Sequence, residues 1–192
     1  MSSAIVAVLL TTVSLTGATA PSASAELLGK EAPFFKVISG DGKELTLDMV
    51  QGKVVVIFYE TKEVAEKNRE LKKSLGKFFR QQKTDIASLL TPVSVIDCSA
   101  AFWPVTRIWK SKLVENSKRE GVTIYGDWDG SMRSDYRMQE NESNIVVLDT
   151  AGRVRYFKSG KVETAGIDEI KELLKGLISE PKSVGGTADE KR

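Results

Sequence analysis

Histidine is absent from the 192-residue sequence. Its absence excludes imidazole acid–base catalysis, histidine-activated serine or cysteine nucleophiles, histidine-ligated haem and ordinary zinc sites. Sulfur chemistry is almost as restricted, because Cys98 is the sole cysteine. A single cysteine forms no internal disulfide, so stability has to come from packing. Charge of neither sign prevails: 28 Lys and Arg against 26 Asp and Glu give a formal net charge of +2. No strong case for nucleic acid or an anionic membrane as a partner follows from that balance. No cofactor motif and no metal-ligand set stands out, so none is expected.

What remains is ordinary for a soluble chain: 41% hydrophobic and 28% charged residues. The length suits one domain with a sizeable core. The first 25 residues look like a signal peptide. Ala4 to Leu10 is apolar, Thr11 to Ala20 is small and weakly polar, and Ala23-Ser24-Ala25 has the small-x-small form of a signal-peptidase site. The expected division is a signal peptide over 1–25, one domain over 26–178 and a polar, disordered tail over 179–192. The protein is therefore expected in the periplasm or otherwise exported. The apolar block is too short and too rich in Thr and Ser for a transmembrane helix, so no stable membrane anchor is expected after cleavage.

The strongest local signal is Lys53 to Glu66, KVVVIFYETKEVAE. The unbroken apolar run Val54 to Tyr59 has the form of a strand buried on both faces, and a helical pattern follows a short polar turn. On this reading Glu60, Thr61 and Glu63 crowd the helix N-terminus, where free N–H groups favour negative charge. The first long helix is predicted over 62–82, with Val64, Asn68, Leu71, Leu75, Phe78 and Phe79 on one face and a basic remainder. Before it, Phe34–Ile38 and Lys43–Leu47 flank Ser39-Gly40-Asp41-Gly42 as a hairpin. After it come a strand over Pro92–Asp97 and a helix over Trp103–Arg119 with Val105, Ile108, Trp109, Leu113 and Val114 inward. A short strand follows over Val122–Tyr125, then an irregular stretch over Gly126–Glu142. Asn144–Asp149 and Arg153–Lys158 form a hairpin across Thr150-Ala151-Gly152. Ile167, Ile170, Leu173, Leu174, Leu177 and Ile178 mark a final amphipathic helix. Crossover helices imply parallel central strands, and the last hairpin adds antiparallel ones.

This α/β order resembles the thioredoxin-like (redoxin) superfamily: a mixed sheet flanked by helices, with an N-terminal β-hairpin. Gly29-Lys30-Glu31-Ala32-Pro33-Phe34, Gly42-Lys43 and Gly52-Lys53-Val54-Val55 carry the likeness to the redoxin hairpin. Phe58-Tyr59-Glu60-Thr61-Lys62 fits the stretch that precedes the first redox cysteine in such proteins. The resemblance implies that Glu63 stands where the attacking cysteine would be and Glu66 where the resolving cysteine would be. It also implies that Ser143 or Asn144 takes the place of the usual cis-proline. A narrower resemblance, to the YtfJ-type periplasmic proteins, rests on Lys62-Glu63 with Glu66-Lys67-Asn68, on the tract Glu142 to Asp149, and on Gly152 to Lys161.

Three chemistries compete on these residues. A carboxylate cannot undergo thiol–disulfide exchange, which requires a thiolate. The favoured expectation is therefore a non-redox binding or adaptor module, holding an unknown protein or peptide near Thr61 to Glu66 and the Ser143 loop. The first alternative is a single-cysteine oxidoreductase or peroxidase using Cys98 as catalytic residue. Against it, no His is present and Asp97 next door would raise the thiol pKa. The second is a carboxylate module for a metal. Glu60, Glu63 and Glu66 form one candidate cluster. Asp127, Asp129 and Asp135 form the other, in a stretch that resembles a calcium loop but has Met138 where its last Glu is required. Trp128 and Tyr136 are read as packed loop aromatics, with a partner-binding surface as the alternative.

Overall fold

The computed structural model describes residues 26–179. The signal peptide expected over 1–25 and the tail beyond Ser179 lie outside the described residues. Seven strands make one sheet: β1 (Lys36–Ser39), β2 (Glu44–Thr46), β3 (Val54–Glu60), β4 (Leu90–Asp97), β5 (Ile124–Asp127), β6 (Asn144–Leu148) and β7 (Val154–Ser159). Their order across the sheet is β2-β1-β5-β4-β3-β6-β7. β3, β4 and β5 are parallel, and every other neighbouring pair is antiparallel. The helices are α1 (Arg69–Gln81), α2 (Thr84–Ala87), α3 (Val105–Glu120), α4 (Ser131–Asp135) and α5 (Thr164–Ser179). The mixed sheet expected from the sequence is thus the one observed.

The apolar run of β3 explains its place. All seven of its residues are buried, and it pairs with β4 on one side and β6 on the other. Because side chains alternate across a strand, Val55, Ile57 and Tyr59 enter one core and Val54, Val56 and Phe58 the other. Burying each aliphatic side chain stabilises by about 1.5–3 kcal/mol. The Val54 face is covered by Leu71, Leu75 and Phe78 of α1 and by Ile167, Ile170, Leu174 and Leu177 of α5. The opposite face is covered by Ala32 and Phe35 from the N-terminal lead-in and by Met132, Tyr136 and Met138.

The lead-in also protects a sheet edge. Gly29 N–H donates to Val154 O, Ala32 N–H to Gly152 O, and Val154 N–H to Lys30 O. Those bonds occupy backbone groups that an edge strand would otherwise offer to another chain. The β6–β7 turn is locked by Asp149, whose Oδ1 accepts from the N–H groups of Ala151 and Arg153, while Gly152 supplies the positive φ of 75°.

Four local expectations need correction. The first long helix begins at Arg69, not at Lys62. Residues 62–68 form overlapping turns, with Val64 N–H bonding to Thr61 O, Lys67 N–H to Val64 O and Arg69 N–H to Glu66 O. Tertiary bonds of the Asn68 side chain hold that path, as described below. In consequence Glu60, Thr61 and Glu63 do not cap a helix. α3 starts after Pro104 and buries only Leu113, whereas Ile108 is exposed. Leu113, Val114 and the Lys110 carbonyl face Gly40 at the end of β1, and Ile108, five positions before Leu113 and about 140° round the helix, falls on the solvent side. Finally, the irregular stretch after β5 contains the short α4, and α2 was not expected at all.

Candidate functional site

The three parallel strands end at the same edge of the sheet, and each ends in an acid: Glu60, Asp97 and Asp127. Asp97 is level with Asp127 and Glu60 with Ile96. β6 starts at this edge too, with Asn144 opposite Tyr59. The loops after β3, β4 and β5 and the loop before β6 therefore meet here. All three acids are buried, so each needs partners to offset the loss of water.

Glu60 belongs to the first of two polar clusters. Its Oε1 accepts from Ser143 Oγ at 2.7 Å, and Oε2 accepts from Lys72 Nζ. Asn68, itself buried, donates to Ser143 Oγ at 2.8 Å and to Gly160 O at 2.9 Å, and accepts from Val162 N–H at 2.8 Å. Lys72 Nζ also donates to Ala65 O, a carbonyl in the turn segment that no helix ladder satisfies. On the rim Lys67 pairs with Glu142 at 2.6 Å. Asn144 holds its own loop: its amide donates to Gln139 O and Glu142 O, and its oxygen accepts from Gln139 N–H and Ser159 Oγ. The peptide bonds flanking Ser143 and Asn144 are trans.

The second cluster lies under the ends of β4 and β5. Tyr59 OH donates to Asp127 Oδ2 at 2.9 Å, and Arg133 N–H donates to the same oxygen at 3.1 Å. The Arg133 guanidinium pairs with Asp97 Oδ2 at 2.9 Å, and Ser99 caps Asp97 Oδ1 through its N–H and hydroxyl. Asp127 Oδ1 is buried with no donor among the described residues. Burial raises the Asp127 pKa, and the neighbouring Asp129 raises it further.

These burials have a pH consequence. Desolvation raises the Glu60 pKa above the ordinary value despite Lys72 and Ser143, and raises Asp127 despite Arg133 and Tyr59. A carboxyl whose pKa is raised by folding binds more protons folded than unfolded. Its contribution is complete below the unfolded pKa and is lost as pH climbs through the folded one. Melting temperature is expected to fall as pH rises above the ordinary carboxylate range. Glu60→Gln and Asp127→Asn should each flatten that slope in calorimetry. The exposed acids Glu63, Glu66 and Asp129 have lowered pKa values, so their titration falls below this window.

The sequence-based candidates separate in the structure. Glu63 and Glu66 are exposed in the turn segment, Glu63 near Lys62 and Glu66 paired with Arg69. Glu60 instead points inward, so the three glutamates do not share a face. Asp127 is buried, and Asp129 and Asp135 are exposed. Among the described residues no three His, Cys, Asp or Glu side chains are placed to hold a metal ion. Trp128 Nε1 donates to Ile38 O and Tyr136 OH to Pro33 O, so both aromatics brace loops. Cys98 is 0% exposed, and burial, then the charges of Asp97 and Asp127, push its thiol up to about 12. Its Sγ lies against Gly126, where an added Cβ would meet it at 3.0 Å.

Sequence reasoning missed Asn68, Lys72, Tyr59 and Arg133 as members of buried networks. Asn68 carried a signal: it was the one polar residue on the predicted apolar stripe of the first helix.

The fold has close parallels among solved structures. A candidate protein disulfide isomerase from Bacteroides thetaiotaomicron superposes with a TM-score of 0.58 at 17% identity, over 80% of this chain and 91% of that one. A candidate thiol:disulfide interchange protein DsbE from Chlorobium tepidum gives 0.57 at 14%, over 79% and 97%. The exposed lipoprotein thioredoxin Etrx1 of Streptococcus pneumoniae gives 0.54 at 17%, over 76% and 100%. At such identities the likeness shows a thioredoxin-like fold and no more. No curated protein matches the chain. A family profile described as a bacterial protein of unknown function, YtfJ_HI0045, matches residues 42–177. Those residues take in β2 through most of α5, with both polar clusters, and so the chain belongs to the YtfJ_HI0045 family, on a thioredoxin-like fold with a single cysteine.

Proposed function

We propose that the protein is a non-redox binding or adaptor module that works outside the cytoplasm and engages a protein or peptide partner at the carboxyl edge of the sheet. The contact surface is the turn segment Thr61 to Glu66, where Lys62, Glu63 and Glu66 are exposed, with the adjoining loop that carries the buried Ser143. The observation that carries the reading is the burial of the lone thiol. Burial, then the charges of Asp97 and Asp127, push its pKa up to about 12, which leaves little thiolate at neutral pH, and the chain has no second cysteine. Exposed carboxylates stand instead at the two places where the superfamily resemblance puts redox cysteines. Export is supported by the N-terminal sequence.

Ellman's reagent is expected to label Cys98 in the folded full chain only as fast as the chain unfolds. Rapid labelling, with peroxide turnover that Cys98→Ser abolishes, would overturn the binding reading in favour of a thiol enzyme. A pull-down from an extract of exported proteins should recover a partner that a chain carrying Glu63→Lys and Glu66→Lys loses.

A further inference from the structure

The loop between β4 and α3 presents large apolar side chains to solvent. Phe102 is 70% exposed and Trp103 86%, and Ile108 in the second turn of α3 is 62% exposed. They are not on a loose strand. Phe102 O accepts from Thr106 N–H at 3.0 Å, Pro104 O from Arg107 N–H at 3.2 Å, and Ala101 O from Thr106 Oγ1 at 3.3 Å. The turn is thus hydrogen-bonded onto the helix, and its aromatics are presented from an ordered base. Three protruding side chains within seven positions go well beyond the scattered apolar residues normal on a surface.

The charge around them is one-sided. Between Asp97 and Glu115 the sequence has no acidic residue, but it has Arg107, Lys110 and Lys112. Arg107 has no carboxylate partner among the described residues, Lys110 lies 5.5 Å from the Trp128 ring centre, and Lys112 pairs only with Glu115 in the next turn. The near-zero net charge of the whole chain conceals this local excess. Aromatic and aliphatic tips flanked by lysine and arginine complement a surface that is apolar inside and anionic outside. A side chain as exposed as Trp103 fits a deformable apolar medium better than a matched protein pocket.

We infer that Phe102, Trp103 and Ile108, with Arg107 and Lys112, form a reversible contact site for an anionic phospholipid surface. The site is separate from the turn segment assigned above to a protein partner, and does not depend on it. It is a peripheral contact: no helix among the described residues is long and apolar enough to cross a membrane.

The test is co-sedimentation of the full chain with vesicles of phosphatidylglycerol and phosphatidylcholine in equal parts, against vesicles of phosphatidylcholine alone. The wild type should sediment with the anionic vesicles and not with the neutral ones. Two variants should each weaken this about tenfold or more: Phe102→Ser with Trp103→Ser and Ile108→Ser, and Arg107→Glu with Lys112→Glu. Every chain compared carries the same N-terminal apolar segment, so a difference between them reports the patch. Because the substituted residues are exposed, melting temperatures should be unchanged, and the charge variant remains decisive should the apolar one fold poorly. Failure of the wild type to bind anionic vesicles, or equal binding by both variants, would overturn the inference. So would self-association that the apolar variant abolishes without any vesicle binding by the wild type, which would make the patch a contact between copies of the chain.

Discussion

Replacing Asn68 with alanine is expected to remove on the order of 3–5 kcal/mol of stability, a large share of the roughly 5–15 kcal/mol that holds a domain folded. The side chain makes three hydrogen bonds at once, to Ser143 Oγ, Gly160 O and Val162 N–H. Truncation leaves partners unmatched where water cannot readily replace them, at about 1–3 kcal/mol for each buried group. Asp is no remedy. It still accepts from Val162 N–H, but it loses both donations and adds a charge to the cluster that contains buried Glu60. Urea titration should place Asn68→Ala and Asn68→Asp far below wild type. Glu142→Ala, which breaks only the half-exposed pair with Lys67, should cost about 1 kcal/mol or less. Near-equal midpoints for Asn68→Ala and Glu142→Ala would show that the network is not the brace described here.

Gly40→Ala is the second substitution with a large expected cost. Gly40 follows β1, and α3 crosses it closely. A Cβ there would collide with the backbone carbonyl of Lys110 and crowd Val114 Cγ2 at 3.0 Å and Leu113 Cβ at 3.1 Å. A carbonyl in mid-helix cannot swing aside as a side-chain tip can. Either α3 lifts from β1 and β5 or the turn shifts, and overpacking of this kind costs about 1–3 kcal/mol or more. Gly42, two residues on, provides the contrast. It has open space around its Cβ position but a φ of 87°, so Gly42→Ala should cost only the local backbone strain, about 1–2 kcal/mol. Differential scanning calorimetry of the two variants separates close approach from strain. The near-ultraviolet signal of Trp128, whose ring contacts Lys110, should change only in Gly40→Ala.

The parts of the fold legible in the sequence are those whose signal is local. Six consecutive apolar residues, all β-branched or aromatic and bounded by turn signals, have the form of a strand buried on both faces, and β3 is one. Asp149 and Gly152 sit where the hairpin they mark requires them. The candidate site was less legible because its geometry depends on distant partners. Lys62 to Asn68 has a composition that suits a helix, and its departure from one is tied to bonds that Asn68 makes with residues after β5 and after β7. Ile108 has the spacing of a core residue, yet α3 packs through Leu113, Val114 and the backbone of Lys110, a face that sequence spacing alone did not select, and this turns Ile108 outward. Asp127 and Asp129 look alike in sequence. Only the register of β5 makes the first a buried strand terminus and the second a surface residue.

The Asn68 brace also bears on the order in which the chain assembles. Its partners come 75, 92 and 94 positions later. Those bonds cannot exist until β6 has joined β3 and the chain has turned past β7, because closing such long loops carries an entropic cost that local pairing must first offset. The corner between β3 and α1 is therefore a late-ordering part of the molecule. As the chain folds, it waits on the C-terminal third of the domain, whereas α1 and the β3–β4 pair need only nearer contacts.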